Sequence, residues 1–315
     1  MNPAWSVVFF TTLAGAGQGV IMALAAATLA GAALPSPFVV AALVASLLLL
    51  VVALAASFLH LGRPERAWRA VLMWRTSWLS REVILLPAFI ALVAFWLALH
   101  LWGQDGSLRD AAVPLLAGAA CLGLWYCTAM IYACIRFIQE WAHPLTHANY
   151  TLIGLSSGLV LFTALAWLAG AQNLVRPAAA WALGLTIVAA LVRIVSIVRN
   201  GRLVPKSNLQ SATGIRRPQV TQKSMGMTGG SFKTREFMHG KTLTFLSQIK
   251  YFAIGAGFVV PALLLLPALT GGANGDGGAW LLLAVAVQCV GLLAERWYFF
   301  AQARHPQNLY YQVVS

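Results

Sequence analysis

Long apolar stretches separated by short polar turns run through the whole chain. A run of about 20 apolar residues is long enough to cross the hydrocarbon core of a bilayer as a helix. Such runs predict eight transmembrane helices, at residues 5–33, 37–60, 78–102, 112–138, 150–171, 177–198, 250–271 and 279–302. Prolines or glycine-rich turns follow the first, third and seventh runs, as expected where helices end. The pattern therefore predicts an all-α, polytopic membrane helix bundle.

Composition supports a membrane protein and argues against a soluble one. Of 315 residues, 60% are hydrophobic and 9% are charged, whereas soluble domains carry roughly 25% charged residues. The net charge of +13 would also suit a nucleic-acid binder. The basic residues, however, lie in the loops between apolar runs, where lysine and arginine set orientation and contact anionic lipid. We therefore expect membrane lipids as contacts, and no nucleic acid.

The distribution of positive charge predicts the orientation. With eight spans, both termini share one side of the membrane with the loops that follow the second, fourth and sixth spans. Those loops contain most of the arginines and lysines, and basic loops remain in the cytoplasm. We expect a multi-pass protein of the bacterial inner membrane with both termini in the cytoplasm.

The chain divides into three parts on this pattern. Residues 1–198 carry spans one to six, residues 199–248 form a basic cytoplasmic loop, and residues 249–315 carry spans seven and eight with a C-terminal tail. A loop this long is either a flexible linker or a docking surface for another protein of a complex. Phe232, Phe237 and Met238 among its charges favour docking.

No pattern for a metal or redox centre stands out. Cys121, Cys127, Cys134 and Cys289 fall inside apolar runs without C-x-x-C spacing, so we expect four buried packing residues. No histidine pair at one depth suits haem. His143 and His147 could share a face of a helix, but Pro144 between them favours a loop. We expect no haem, no iron–sulfur cluster and no metal site in this chain.

Ionisable residues cluster where the second and third predicted spans meet the cytoplasmic surface. His60 is expected at the end of the second span and Glu82 in the first turns of the third, so the two should lie at similar depth. Ionisable groups at such positions are costly and therefore suggest function. These two residues are the candidate catalytic pair.

Quinone chemistry requires this kind of set, because reduction of a quinone takes up two electrons and two protons. A histidine exchanges protons near neutral pH, and a partly desolvated carboxylate can be tuned for the same task. Arginines can stabilise negative charge on a quinone oxygen, and tryptophans can pack against the ring. The candidate residues for binding ubiquinone or menaquinone are His60, Arg63, Arg66, Trp74, Trp78, Arg81, Glu82 and Gln18.

Other interpretations of the same residues remain open. Glu82 could simply pair with a neighbouring arginine at the start of a helix. Gln18, beside the small residues Gly15 and Gly19, is either an interhelical hydrogen-bonding residue or a pocket residue. The chain could be a transporter that uses the same ionisable groups, or a purely structural anchor without a quinone site. A transporter predicts mid-membrane charges and inverted repeats, and neither is evident in the sequence.

Several of these stretches resemble the dimethyl sulfoxide reductase anchor subunit family (DmsC-like). The most specific is the His-Leu-Gly motif at residues 60–62, followed by the Ser-x-Glu motif at residues 80–82. The others are spread over most of the chain, at residues 3–6, 15–19, 58–64, 77–82, 129–133, 229–232 and 234–237.

The resemblance implies an eight-helix anchor that reacts with quinone as one subunit of a larger oxidoreductase. It implies a peripheral ferredoxin-like iron–sulfur subunit, which contacts a molybdopterin catalytic subunit, and places no molybdenum or iron–sulfur active site in the anchor. The family's quinol-site residues correspond here to His60, Arg66 and Glu82. Because the charge pattern places this site on the cytoplasmic side, the chain looks more like the anchors of cytoplasmic sulfite-oxidising enzymes than of exported reductases.

Overall fold

A computed structural model of the chain describes residues 1–59, 61–103, 106–221, 223, 239–270 and 277–310. These residues form helices and turns, with no strand among them. Eight helices are long and apolar enough to cross a membrane, which confirms the predicted fold class. They are α1 (Trp5–Leu29), α2 (Ser36–Phe58), α3 (Trp78–Leu101), α4 (Leu108–Ala133), α5 (Pro144–Leu168), α6 (Gln172–Gly201), α7 (Leu243–Leu269) and α8 (Gly277–Ala301).

Some helix ends differ from the predicted ones, because polar residues cap the helices beyond their apolar runs. α5 begins at Pro144 instead of residue 150, since His143 is its N-cap and proline is well tolerated in a first turn. α7 begins at Leu243 instead of residue 250, and the side chain of Thr242 accepts a hydrogen bond from Phe245 N at 3.2 Å. Hydropathy alone does not register such caps.

α1 and α5 form the centre of the bundle. α1 packs against α2, α4, α5 and α8, and α5 also packs against α4, α6 and α8. The most apolar segments of α1 and α5 are 61% and 56% buried, whereas no other described span exceeds 39%. The remaining helices therefore present most of their apolar surface outward, as lipid requires.

Small residues allow the two central helices to approach closely. A Cβ atom added at Gly19 of α1 would overlap the carbonyl oxygen of Gly154 on α5, and one added at Gly158 would overlap the backbone of Gly19. The small-residue face predicted at Gly15 and Gly19 is thus the contact between α1 and α5. Such backbone contact is a common way for membrane helices to associate.

One end of the bundle brings together the start of the chain, the α4–α5 turn and the ends of α6 and α8. The Met1 nitrogen donates a hydrogen bond to the Ala303 carbonyl at 2.9 Å, and Arg199 donates to the Gln139 carbonyl at 3.3 Å. We call this the basic end. It is the same end that carries the start of α3 and the connector between α2 and α3.

The expectation of four buried cysteines is wrong in part. Cys121 and Cys127 are buried, but Cys134 is exposed and Cys289 is intermediate. Cys134 is the C-cap residue of α4, where the chain leaves the bundle.

Candidate functional site

Glu82 lies inside the bundle near the start of α3. Ser77 caps this helix by accepting a hydrogen bond from Ser80 N at 3.3 Å. The Glu82 side chain turns inward and is 5% exposed, and Thr128 Oγ1 of α4 donates a hydrogen bond to its Oε1. Across the described ranges, Glu82 forms no ion pair. A buried carboxyl without a cation is costly when charged, which makes it suited to exchanging a proton.

Aromatic side chains form a wall near Glu82 on the lipid-facing side of α3, α4 and α5. Trp78 precedes Glu82 by one helical turn and so shares its face of α3. Its ring meets that of Tyr126 edge-on at 5.4 Å, and Tyr126 lies 5.2 Å from the ring of His147. Tyr126 is 51% exposed. A flat, lipid-soluble ring could therefore pack here from the membrane.

His147 belongs to this wall because it lies in the first turns of α5. The interpretation of His147 as a loop residue was wrong: Pro144 occupies the first position of α5, and His147 follows in the helix. His143 lies just outside the helix as its N-cap, and its Nδ1 accepts a hydrogen bond from Leu145 N at 3.2 Å. Burial, together with the charge of Arg199, lowers the pKa of His143, which favours this neutral acceptor form.

The connector between α2 and α3, residues 61–77, lies on the surface of the basic end. Its helical turns at Pro64–Met73 contain no buried residue, and they combine the charged Glu65, Arg66 and Arg69 with large apolar side chains. Trp68, Leu72 and Met73 are all more than half exposed. An amphipathic segment of this kind suits the headgroup region of a membrane or a partner surface.

The predicted arginines and tryptophans of this region fall into two groups. Arg63 and Arg66 are exposed on the connector, where Arg66 approaches Glu65 at 3.9 Å. Arg81 packs over the Trp78 ring at 4.0 Å and donates hydrogen bonds to the carbonyls of Trp74 and Arg75 at 2.9 Å. Trp78 and Arg81 thus belong to the start of α3, as Glu82 does, whereas Trp74 is half exposed on the connector. His60, the other predicted catalytic residue, lies outside the described residues.

Gln18 lines a small pocket on the inner side of Thr128. The pocket has a volume of about 20 Å³ and lies between α1, α4, α5 and α8. Its polar lining includes Gln18, Trp125, Thr128, Tyr150 and Arg296. Of the two roles left open for Gln18, the structure supports the pocket residue, because no described group hydrogen-bonds to Gln18 Oε1.

A buried charge cluster lies beside this pocket. Glu295 of α8 stands between two arginines: its Oε1 is 2.6 Å from Arg193 Nε of α6, and its Oε2 is 2.5 Å from Arg296 Nε. All three side chains are at most 2% exposed. Two cations and one anion leave an excess of positive charge inside the bundle.

Sequence reasoning finds part of this cluster. From their place near the end of the last span, Glu295 and Arg296 are expected to satisfy each other or the surface. They do pair with each other, but both are buried, and Arg193 was missed. The signal was present, because Arg193 interrupts a long apolar run, and a charge there needs a partner.

The cluster and Glu82 belong to one polar region. Arg296 packs over the Tyr150 ring at 4.5 Å, and Tyr150 stacks on Tyr132 at 5.7 Å. Tyr150 and Arg296 line the pocket together with Thr128, which hydrogen-bonds to Glu82. The region reaches from α3 across the centre of the bundle to α6.

A larger cavity opens among the loops of the basic end. Its volume is about 870 Å³, and it lies between the start of α7, the end of α8 and the residues preceding α7. Its lining combines apolar side chains with His239, Lys241, Lys250, Arg304 and the acidic Glu140. The residues expected to support docking, Phe232, Phe237 and Met238, lie outside the described residues.

Within the described ranges, no group of three or more histidine, cysteine, aspartate or glutamate residues is arranged to hold a metal ion. The family described as DMSO reductase anchor subunit (DmsC) matches residues 1–216. A protein from Allochromatium vinosum, named as a subunit of sulfite dehydrogenase, is 47% identical over 332 aligned positions, which cover 100% of both chains.

Proposed function

Since this chain belongs to the DMSO reductase anchor subunit (DmsC) family, and is thus a multi-pass membrane anchor subunit of an oxidoreductase complex, we propose that it binds quinone or quinol beside Glu82 and exchanges protons with it. The observation that carries the proposal is the Glu82 carboxyl, which is buried at the basic end, forms no ion pair with any of the described residues, and follows Trp78 of the lipid-exposed aromatic wall by one helical turn. His60, which immediately precedes the connector in the sequence, is proposed as its partner.

The residues fit a quinone by their chemistry. A quinone supplies a flat apolar ring with two oxygens that accept electrons and protons. Trp78 and Tyr126 offer ring faces and edges on the lipid side, and Glu82 offers a carboxyl group that can donate a proton or take one up. Ubiquinone and menaquinone both meet this description.

We propose that electrons flow from sulfite to quinone. The full-length relative is named as a subunit of a sulfite dehydrogenase, so the inferred partners are a ferredoxin-like iron–sulfur subunit and a molybdopterin catalytic subunit. Two electrons would come from the iron–sulfur subunit. Glu82 delivers one proton to a ring oxygen and is protonated again from the protein, and His60 delivers the second proton, which completes the quinol. Oxidation of quinol by the same groups, as in a dimethyl sulfoxide-type reductase, is the reverse reaction.

The proposed docking site for the iron–sulfur subunit is the basic end. The described residues of the predicted loop 199–248, the cavity lined by Lys241, Lys250 and Arg304, and the exposed connector all lie there. The same end carries the excess of basic residues, so we propose that it faces the cytoplasm of a bacterial inner membrane. Electrons would then enter on the side where Glu82 takes up protons.

Replacement of Glu82 with glutamine tests the proposal. In the purified complex, Glu82→Gln should lower sulfite-dependent reduction of a short-chain quinone by about 10²-fold or more, the usual contribution of an acid–base group. Sulfite-dependent reduction of ferricyanide, which takes electrons directly from the peripheral subunits, should be unchanged. Asp110→Asn, at the opposite end of the bundle where Asp110 is 47% exposed and pairs with Arg109, is the control and should leave both activities intact.

Two outcomes would contradict the proposal. Normal quinone kinetics in Glu82→Gln would leave a purely structural anchor as the better description. A proton or anion flux through liposomes that contain the chain alone, lost in Glu82→Gln, would favour a transporter.

A further inference from the structure

We propose that the pocket behind Thr128 is a built-in water site and that its water returns protons to Glu82 through the Thr128 hydroxyl. The inference rests on the proposed function of Glu82, and it adds the route by which that residue is recharged. It assigns roles to Gln18, Trp125, Thr128 and Arg296, none of which belongs to the aromatic wall or the connector.

The pocket has the size and polarity that a bound water molecule requires. Its volume of about 20 Å³ exceeds the roughly 10–15 Å³ that one water needs, and such a site must also supply two to four polar partners. Three side chains of the lining are almost fully buried, with Gln18 at 3% exposure and Trp125 and Arg296 at 2%.

One polar atom of each of these three side chains has no hydrogen-bond partner within the described part of the chain, namely Gln18 Oε1, Trp125 Nε1 and Arg296 Nη2, and the Tyr150 hydroxyl of the same lining is a fourth such group. A buried polar group without a hydrogen bond costs about 1–3 kcal/mol, so four around one pocket require an explanation. Trp125 Nε1 and Arg296 Nη2 are donors and Gln18 Oε1 is an acceptor, so a water molecule can accept from the two donors while it donates to Gln18.

The backbone of α5 is shaped to admit the tryptophan. A Cβ atom added at Gly154 would lie 2.6 Å from Trp125 Nε1. The indole N–H therefore reaches the pocket because residue 154 has no side chain.

Thr128 joins the pocket to the proton-exchanging carboxyl. Its side chain lines the pocket, and its hydroxyl donates to Glu82. The water would have its second hydrogen available for Thr128 Oγ1, which gives the continuous sequence water, Thr128, Glu82. A hydroxyl group can pass on one proton while it receives another, so a threonine suffices as the relay.

The proposed step conserves atoms and charge. After Glu82 gives its proton to the quinone oxygen, the Thr128 hydroxyl transfers its hydrogen to the carboxylate, and the water transfers one to Thr128 Oγ1. The hydroxide that remains beside Arg296 is then neutralised by a proton from solvent. The excess positive charge of Arg193, Arg296 and Glu295 favours this order, because it stabilises a transient hydroxide and opposes a hydronium ion.

The first test removes the relay hydroxyl with little change in shape. In the purified complex, Thr128→Val should slow sulfite-dependent quinone reduction about 10-fold or more and raise its solvent deuterium isotope effect, while ferricyanide reduction is unchanged. Thr128→Ser keeps the hydroxyl and should restore the rate. If Thr128→Val retains the normal quinone rate and isotope effect, the relay is excluded.

The second test detects the water itself, and its result remains informative if one of the variants folds poorly. Infrared difference spectra of quinone reduction should contain an O–H stretching band that shifts in H₂¹⁸O, and the band should disappear in Gln18→Leu and in Trp125→Phe. Absence of an ¹⁸O-sensitive band in the unmodified complex would refute the water site.

The two proposals fail in distinguishable ways. An active Glu82→Gln enzyme would overturn the quinone site and the relay together. An inactive Glu82→Gln enzyme combined with an unaffected Thr128→Val enzyme would overturn the relay alone.

Discussion

Glu82 and Glu295 are two buried carboxylates in the same half of the bundle with opposite surroundings. Glu295 has a guanidinium nitrogen within 2.6 Å of each of its oxygens. Glu82 has one hydroxyl donor, Thr128, and no ion pair within the described ranges. The two side chains are buried to nearly the same extent, with Glu295 1% and Glu82 5% exposed. The groups that contact the two carboxylates therefore distinguish them, and their burial does not.

The difference separates a fixed charge from an exchangeable proton. Removing a proton from a group in low dielectric is costly unless a cation compensates the resulting charge. The negative charge of Glu295 is compensated permanently by two arginines, and the ion pair with Arg193 joins α6 to α8. The Glu82 carboxyl has only the Thr128 hydroxyl to compensate a negative charge, so it can stay neutral, give up its proton to a bound molecule and take up another.

The largest effect on stability is expected from removing the fixed charge of Glu295. Glu295→Gln leaves two buried guanidinium groups without a counter-charge, and such a loss costs about 3–5 kcal/mol. We expect little assembled protein in detergent and a clearly lower unfolding temperature for the remainder, measured by scanning fluorimetry.

Glu65→Gln is the control for this change. Glu65 and Arg66 are 3.9 Å apart with side chains that are 65% and 51% exposed, and exposed pairs contribute about 0–1 kcal/mol. An unchanged unfolding temperature in Glu295→Gln would mean that the cluster is not a structural unit.

A smaller loss of stability is expected from a substitution that pushes apart the helices around the pocket. A Cβ atom at Gly158 would overlap the backbone of Gly19 on α1, so Gly158→Ala should cost about 1–3 kcal/mol, as overpacking does. Gly184→Ala on α6 has open space around its Cβ and should be neutral or slightly stabilising, since alanine is the better helix former. Equal unfolding temperatures for the two variants would contradict the close α1–α5 contact.

The smallest stability effect belongs to Glu82. Glu82→Gln removes no ion pair that the described residues form, and glutamine can still accept the Thr128 hydrogen bond. We expect an unfolding temperature equal to that of the unmodified protein, together with the loss of quinone activity proposed for this variant. A destabilisation as large as that of Glu295→Gln would indicate that Glu82 is structural.

Hydrophobic patterning was sufficient for the architecture. The lengths of the apolar runs determine eight helices, because a chain in lipid must satisfy its backbone hydrogen bonds within each span. Glu82 could also be singled out, since a carboxylate at the start of a span is rare, and the Gly15–Gly19 face was evident from its small residues. The starts of α5 and α7, which are capped by His143 and Thr242, were missed, because capping depends on the geometry of individual side chains.

The sequence by itself determined that this chain crosses the membrane eight times and carries an unusual acid near the start of α3. Only the tertiary structure decided which groups surround that acid. Thr128, Gln18 and Arg296 come from α4, α1 and α8, and Arg193 reaches Glu295 from α6. No local pattern encodes such contacts, because they depend on how closely the glycine-lined helices pack and on which faces they turn toward one another.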